Sequence, residues 1–226
     1  MSQIYKFFKY DYQDRWISYW HQIDEVLRLK PETVLEIGIG NKTIADYLKK
    51  QKLEVKTLDI SKNLNPDFIA SVLDMPLDNN LFDVILCAEI LEHLPFNKFE
   101  KALLELKRVT RKYIVLSLPH FGPPVKFSFK VPFIKEIKIA FKIPYHPKHK
   151  SGGVHCWEIG KKGYSSRKIR NIIKKYFKIK KEFIPFENEK ELREKVIYYL
   201  NHDQERIKIA KAAYKRVLRE HTYYHR

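Results

Sequence analysis

The stretch TVLEIGIGNKT, Thr33 to Thr43, constrains the fold of this chain more than any other segment. Thr33–Ile37 reads as a short buried strand and Thr43–Lys50 as a helix. Between them, Gly38 and Gly40 let the backbone turn sharply and approach a ligand without side-chain interference. A strand passing through such a turn into a helix is the opening of a nucleotide-binding α/β unit. The glycines stop early, however. Thr43 stands where a dinucleotide loop carries its third glycine, and Glu36, inside the strand, would repel a pyrophosphate. A ligand that is cationic, or that offers hydroxyl and ammonium donors, suits this loop better.

The pattern then repeats. Glu54–Ile60 reads as a strand, Phe68–Val72 as a shorter one and Phe82–Cys87 as a strongly apolar one. Phe96–Thr110 is a helix with Phe99, Leu103, Leu106 and Val109 on one face, and Tyr113–Leu118 is a strand stopped by Pro119. Strands apolar on both faces that alternate with helices imply a mostly parallel sheet flanked by helices. Right-handed crossovers bring the strand C-termini to one edge, where ligands bind. Gly38, Gly40, Asp59, Asp74, Glu89 and His120 each follow a strand, so all six are expected on that edge.

Taken in order, VLEIGIGNKT, VKTLDIS, ASVLDMPLDNNLFDVILCAEILEHLP and KYIVLSLPH resemble the successive motifs of class I S-adenosylmethionine-dependent methyltransferases, in the type-11, UbiE-like branch. The resemblance covers about residues 33–186 and implies a Rossmann-like fold with S-adenosyl-L-methionine as cofactor. It places Glu36, Gly38 and Gly40 against the methionine and ribose parts. Asp59 would bind the ribose hydroxyls and Asp74 the adenine amino group. Ile60 and Met75 would pack on the adenine, and Glu89 would face the methionine end. Lys42 departs from the small residue common there, and points to solvent or reaches the cofactor carboxylate. A Rossmann-like domain that has lost its cofactor is the alternative.

Methyl transfer from a sulfonium needs proximity, orientation and, for a hydroxyl acceptor, a base. His120, after the fifth strand, is one candidate, and His155, in HCWEIG after a Gly-Gly turn, is another. His93 in ILEHLP suits a helix-start or capping role. Residues 122–160 break the α/β pattern and read as a lid or insertion. Its His146, His149, His155 and Cys156 fit no strong zinc spacing, so no metal is expected. His155, Trp157 and Glu158 line or seal the acceptor pocket.

The 226 residues carry 44 Lys and Arg against 27 Asp and Glu, a formal charge of +17. Such a balance favours anionic partners, although a lysine-rich proteome explains it equally. Val125–Pro144 interleaves Lys with Phe and Ile. It is either a lid with solvated lysines or an interfacial patch touching an anionic membrane or a lipid-linked acceptor. Lys161 to Lys181 holds ten basic residues and no acid. Tyr164–Tyr176 is a helix that buries Ile169, Ile172, Ile173 and Tyr176, so those lysines form its solvated face. No stacking or base-reading positions stand out there, and nucleic acid is not the expected partner. Two cysteines, Cys87 and Cys156, and the lack of an apolar signal core point to the cytoplasm.

Lys178–Phe186 reads as a strand, followed by helices over Glu189–Leu200, with Asn188 and Glu191 as a capping box, and Gln204–Glu220. Residues 187–226 resemble the C-terminal end of CgeB-like, group-1-type glycosyltransferases, without that family's sugar-nucleotide core. The helices stand where class I methyltransferases complete an antiparallel hairpin at the sheet edge. Either Lys178–Phe186 pairs differently, or that edge is left open for the tail, for another subunit or for a glycosyltransferase partner. The expected organisation is a helical extension over 1–30, a methyltransferase domain over 31–186 and a helical tail over 187–226. The expected activity is methylation of a small molecule or glycan sugar, at oxygen. A non-catalytic accessory or scaffold protein of glycosylation, and an RNA methyltransferase using the basic face, are the alternatives.

Overall fold

The structure, a computed structural model, describes residues 10–122, 124–129, 137–142, 147–149, 153–179 and 201–220. The chain forms two units, Met1–Phe177 and Lys178–Arg226. The first opens with helix α1 (Gln13–Arg28) and continues through β1 (Thr33–Ile37), α2 (Thr43–Lys50), β2 (Glu54–Asp59), β3 (Phe68–Ile69) and β4 (Phe82–Ala88). Helix α3 (Phe99–Val109), strand β5 (Thr110–Ser117), strands β6 (Pro124–Phe129) and β7 (Ile137–Lys142), and helix α4 (Ser166–Tyr176) follow.

Strands β1 to β5 make one sheet in the order β3-β2-β1-β4-β5, and every pairing in it is parallel. The expected α/β class and parallel sheet are therefore present. Successive strand residues face opposite sides. Leu35, Ile37, Ile85 and Cys87 pack with Phe99, Leu103, Leu106, Val109 and Ile169, so α3 and α4 cover one face. Val34, Val84 and Leu86 pack with Tyr19, Val26, Ile44 and Leu48, so α1 and α2 cover the other. The α3 stripe read from the sequence is buried at every position.

Most boundaries shift by a residue or two from the sequence reading, and three larger differences have local causes. β3 is shorter than Phe68–Val72 because Ser71 and Asp74 close a turn. The Asp74 amide donates to the Ser71 carbonyl and the Leu73 amide to the Ser71 hydroxyl. The helix after Pro95 begins as a short 3-10 turn, Phe96–Lys98, before α3 proper. β5 starts at Thr110, directly off α3, whose end is held by the Thr110 hydroxyl donating to the Leu106 carbonyl at 2.7 Å.

Within the expected lid, β6 and β7 form an antiparallel pair from Pro124↔Lys142 to Phe129↔Ile137. In the second unit, helix α5 (Asp203–Glu220) is present as expected, and Ile207 on it is 47% exposed. The strand expected over Lys178–Phe186 lies mostly outside the described residues; Lys178 and Ile179 are not in a strand. The helix over Glu189–Leu200 and its capping box lie outside them entirely. No helix among the described residues is long and apolar enough to cross a membrane.

Candidate functional site

A cavity of about 720 Å³ opens at the C-terminal ends of β1, β2 and β4, under α1. Its floor is the two-glycine turn. Gly38 has φ +78°, which favours glycine, and a Cβ there would force the Ile90 side chain to move. The turn is fastened on both sides. The Gly38 amide donates to the Leu58 carbonyl at 2.9 Å, and the Ile39 amide donates to Asp59 Oδ2 at 3.1 Å. The Ser61 amide holds the other Asp59 oxygen at 2.8 Å. Two main-chain donors thus lock the Asp59 carboxylate in place, and each oxygen keeps a lone pair for a ligand hydroxyl.

Asn41 ties this loop to the roof. Its Oδ1 accepts from the Thr43 amide at the start of α2. Its Nδ2 donates to Asp11 at 2.8 Å, and the Tyr19 hydroxyl donates to the same carboxylate at 3.2 Å. The residue before α2, Lys42, has φ +67°, and its Nζ donates to the Asn65 carbonyl at 2.9 Å. Lys42 therefore reaches main chain and does not line the cavity.

Two side-chain atoms in the cavity lining are buried without a hydrogen-bond partner. Glu36 Oε2 is one, an acceptor, and Arg15 Nε is the other, a donor. Burial pushes the Glu36 carboxyl up to about 8, an effect the Ala45 amide only partly offsets. The Arg15 guanidinium lies 4.0 Å from the centre of the Tyr10 ring. Unpaired buried polar atoms of opposite character in one cavity fit a ligand end that carries both an ammonium and a carboxylate.

On the β4 side, Glu89 has φ +55°, a conformation that disfavours a side chain by about 1 kcal/mol. It is held there by Ser117: the Glu89 amide donates to the Ser117 carbonyl at 3.1 Å, and the Ser117 hydroxyl donates to Glu89 Oε1 at 2.6 Å. Beyond it, the turn Leu91–His93 meets the segment Val154–Trp157, far away in sequence. The Cys156 amide donates to the Glu92 carbonyl at 2.7 Å, and the Cys156 thiol to the His93 carbonyl at 3.3 Å. The Trp157 indole donates to the Leu94 carbonyl at 3.1 Å. Trp157 is fully buried, with edge contacts to Phe96 and Phe99, and anchors the whole segment. Glu92 is buried with neither carboxylate oxygen partnered. Burial, with the Glu89 and Glu158 carboxylates nearby, pushes it up to about 8.

Of the residues singled out from sequence, Glu36, Gly38, Gly40, Asp59, Glu89, His93 and His155 line this one cavity. Ile60 is 76% exposed beside it. Asp74 is exposed, on the turn after β3. The Met75 side chain is buried in the core, while its amide donates to Glu105 at 2.8 Å and its carbonyl accepts from Arg108. Met75 lines a separate depression with Phe68, Leu77 and Arg108. His120 is exposed, bridged to Ile159 and close to Gly160, and does not line the cavity. The sequence reading missed the contributions of α1, chiefly Arg15, Ser18 and Tyr19, and that of Glu92, and it gave His93 a helix-start or capping role where the structure places it in the cavity lining. A helix before the first strand carries no motif, and no spacing rule links residues 92–93 to 155.

The sheet order, the two-glycine turn and the acid closing β2 define the class I methyltransferase type of fold. Residues 35–116 match the family model described as a methyltransferase domain. Residues 165–226 match a second model, described as glycosyl transferase-like. Among solved structures, a SAM-dependent methyltransferase from Archaeoglobus fulgidus is similar at 18% identity and TM-score 0.41, over 46% of this chain and 53% of that one. A 1,6-didemethyltoxoflavin-N1-methyltransferase from Burkholderia thailandensis, crystallised with 1,6-didemethyltoxoflavin and S-adenosylhomocysteine, is similar at 16% identity and TM-score 0.39, over 50% and 59%. A Pyrococcus horikoshii protein matches over 77% of this chain and 89% of its own, at 13% identity and TM-score 0.47. The chain thus spans little more than half the length of the first two structures. No curated protein matches the sequence.

Proposed function

We propose that this protein is an S-adenosylmethionine-dependent methyltransferase that methylates a hydroxyl group of a small polar acceptor, a sugar or sugar-like molecule. The observation that carries the reading is the pair of unpartnered buried groups, Glu36 Oε2 and Arg15 Nε, in one cavity with the doubly held Asp59. Glu36 would take the ammonium and Arg15 the carboxylate of the amino-acid end, while Asp59 would accept from the ribose hydroxyls. When bound, the cofactor supplies a methyl group on a sulfonium, already joined to its leaving group. The chain's part is to orient, to exclude water and to manage one proton. Attack by the acceptor oxygen on the methyl carbon would leave the carbon–sulfur pair on sulfur, and the hydroxyl proton would pass to solvent. Glu89, His93 and His155 line the far end of the cavity, so the acceptor belongs there. The glycosyl transferase-like match over residues 165–226 supports a sugar as acceptor.

Calorimetry with S-adenosylhomocysteine tests the cofactor half. The intact protein binds it, and Asp59→Ala weakens binding by about 2–3 kcal/mol, roughly 30- to 150-fold. Absent affinity, or affinity that Asp59→Ala leaves untouched, overturns the reading in favour of a cofactor-free scaffold.

A further inference from the structure

We infer that Glu92, His93 and His155 hold a divalent metal cation, and that this cation receives hydroxyl oxygens of the acceptor. The metal site stands on its own geometry; its role toward the acceptor rests on the methyl-transfer reading. One ligand atom from each of the three residues lies within 4.8 Å of the others. Bonds of about 2.1 Å put ligand atoms roughly 3 to 4 Å apart, so closure needs only small side-chain movements.

Three independent features favour a cation. The first is the Glu92 carboxyl, fully buried beside the Glu89 carboxyl and receiving no N–H from any other residue. A buried carboxylate without a donor calls for a positive partner. The second is the state of the imidazoles. His93 Nδ1 lies 3.0 Å from the Val154 carbonyl, which can only accept, so in the neutral ring Nδ1 donates and Nε2 holds the lone pair. His155 Nδ1 lies 3.2 Å from Glu158 Oε1, and its neutral ring is arranged in the same way. A ring whose far nitrogen donates to a carbonyl or carboxylate is an oriented metal ligand. The third is the clip described above. Hydrogen bonds from Cys156 and Trp157 to the main chain of residues 92–94 fix the two ligand-bearing segments together. The rings of His93 and His155 stand 5.0 Å apart, edge to face.

The ligands differ from the set that sequence spacing invited. The Cys156 thiol is turned to the His93 carbonyl, and His149 Nε2 to the His155 carbonyl, so neither joins the cluster. His146 lies outside the described residues. Two imidazoles and one carboxylate suit zinc, cobalt or manganese and leave coordination positions open. His93 and His155 line the same cavity as Glu89 and Gly38, so those open positions face the proposed acceptor space. A hydroxyl bound there has its pKa lowered and releases its proton to solvent as its oxygen attacks, without a protein base. Such a site selects acceptors that present a hydroxyl beside a second oxygen, as sugars do.

The test is titration of the chelator-treated full chain with Co²⁺, followed by visible absorption, and with Zn²⁺ by calorimetry. One cation per chain is expected, with an absorption spectrum of nitrogen and oxygen ligation. His155→Ala and Glu92→Gln should each weaken binding at least tenfold, with circular dichroism confirming the fold. A Zn²⁺-dependent rise in melting temperature of the unaltered chain provides a readout that needs no variant. Absence of Co²⁺ binding at millimolar concentration, or binding unaffected by both substitutions, overturns the site. S-adenosylhomocysteine affinity measured on the same samples separates the two readings. Cofactor binding without metal binding removes this inference alone, and metal binding without cofactor binding removes the methyl-transfer reading alone.

Discussion

The two ends of the central sheet treat a buried carboxylate in opposite ways. At the N-terminal end, the Asp83 side chain is 1% exposed and receives the Glu32 and Thr33 amides, with the Arg111 and Lys112 side chains at 3.1 and 3.0 Å. Those donors, the Glu32 amide foremost, hold it down to about 2 despite burial. At the C-terminal end, Glu36 is buried to a similar degree, keeps an unpartnered oxygen and is pushed up to about 8. Burial alone does not decide ionisation; the supply of donors does. One end is closed and serves stability. The other is left incomplete, which is the condition for binding a ligand that supplies what is missing.

Substitution at the closed end should produce the largest loss. Asp83→Ala strands the Glu32 and Thr33 amides and should destabilise by about 2–4 kcal/mol in chemical denaturation, with cofactor affinity unchanged in the fraction that folds. The wild-type pH profile carries the same signature. Asp83 is depressed in the folded state, so its contribution is complete above about pH 4 and falls away as pH drops toward 2. An acid limb that persists unchanged in Asp83→Asn would break the contrast.

Glu36 should give the opposite sign. Its folded pKa is raised, so the native state keeps a proton that the unfolded chain releases, and stability declines as pH rises from about 4.5 to 8. Glu36→Gln removes that decline. Near pH 7 it should gain roughly 2–3 kcal/mol relative to wild type while losing affinity for S-adenosylhomocysteine. Equal pH slopes for the two proteins would erase the difference between the sheet ends. The smallest effect belongs to Lys42. Its Nζ is on the Asn65 carbonyl, so Lys42→Ala should change stability by about 0.5 kcal/mol or less and leave cofactor affinity intact.

Much of the fold was legible in the sequence. The bounds of Thr33–Ile37 and Thr43–Lys50 are those the pattern predicts, because a continuous apolar run, two glycines and an amphipathic helix leave few alternatives. Legibility was poorer where local hydrogen bonding competes with the pattern. Phe68–Val72 carries strand-forming residues, yet the Ser71–Asp74 turn removes its second half. The site divides along the same line. Gly38, Gly40 and Asp59 each lie at a strand end and come together whenever the strands do. Met75 shares that local signal, but Glu105 and Arg108 on α3 fasten its main chain and its side chain enters the core. His120 and His155 looked alike as isolated histidines in sequence, and only His155 lines the cavity.

By itself, the sequence determined the alternation of strands and helices and the two-glycine turn with its acidic neighbours. These follow from residue chemistry acting over a few positions, through sterics, periodicity and burial. Tertiary structure decided which distant groups share a space. Arg15 and Glu36 line one cavity because α1 lies over the open end of the sheet. His155 reaches Glu92 and His93 because Trp157 is buried between Phe96 and Phe99 and carries its neighbours with it. No local rule encodes such meetings, since they depend on where whole elements pack.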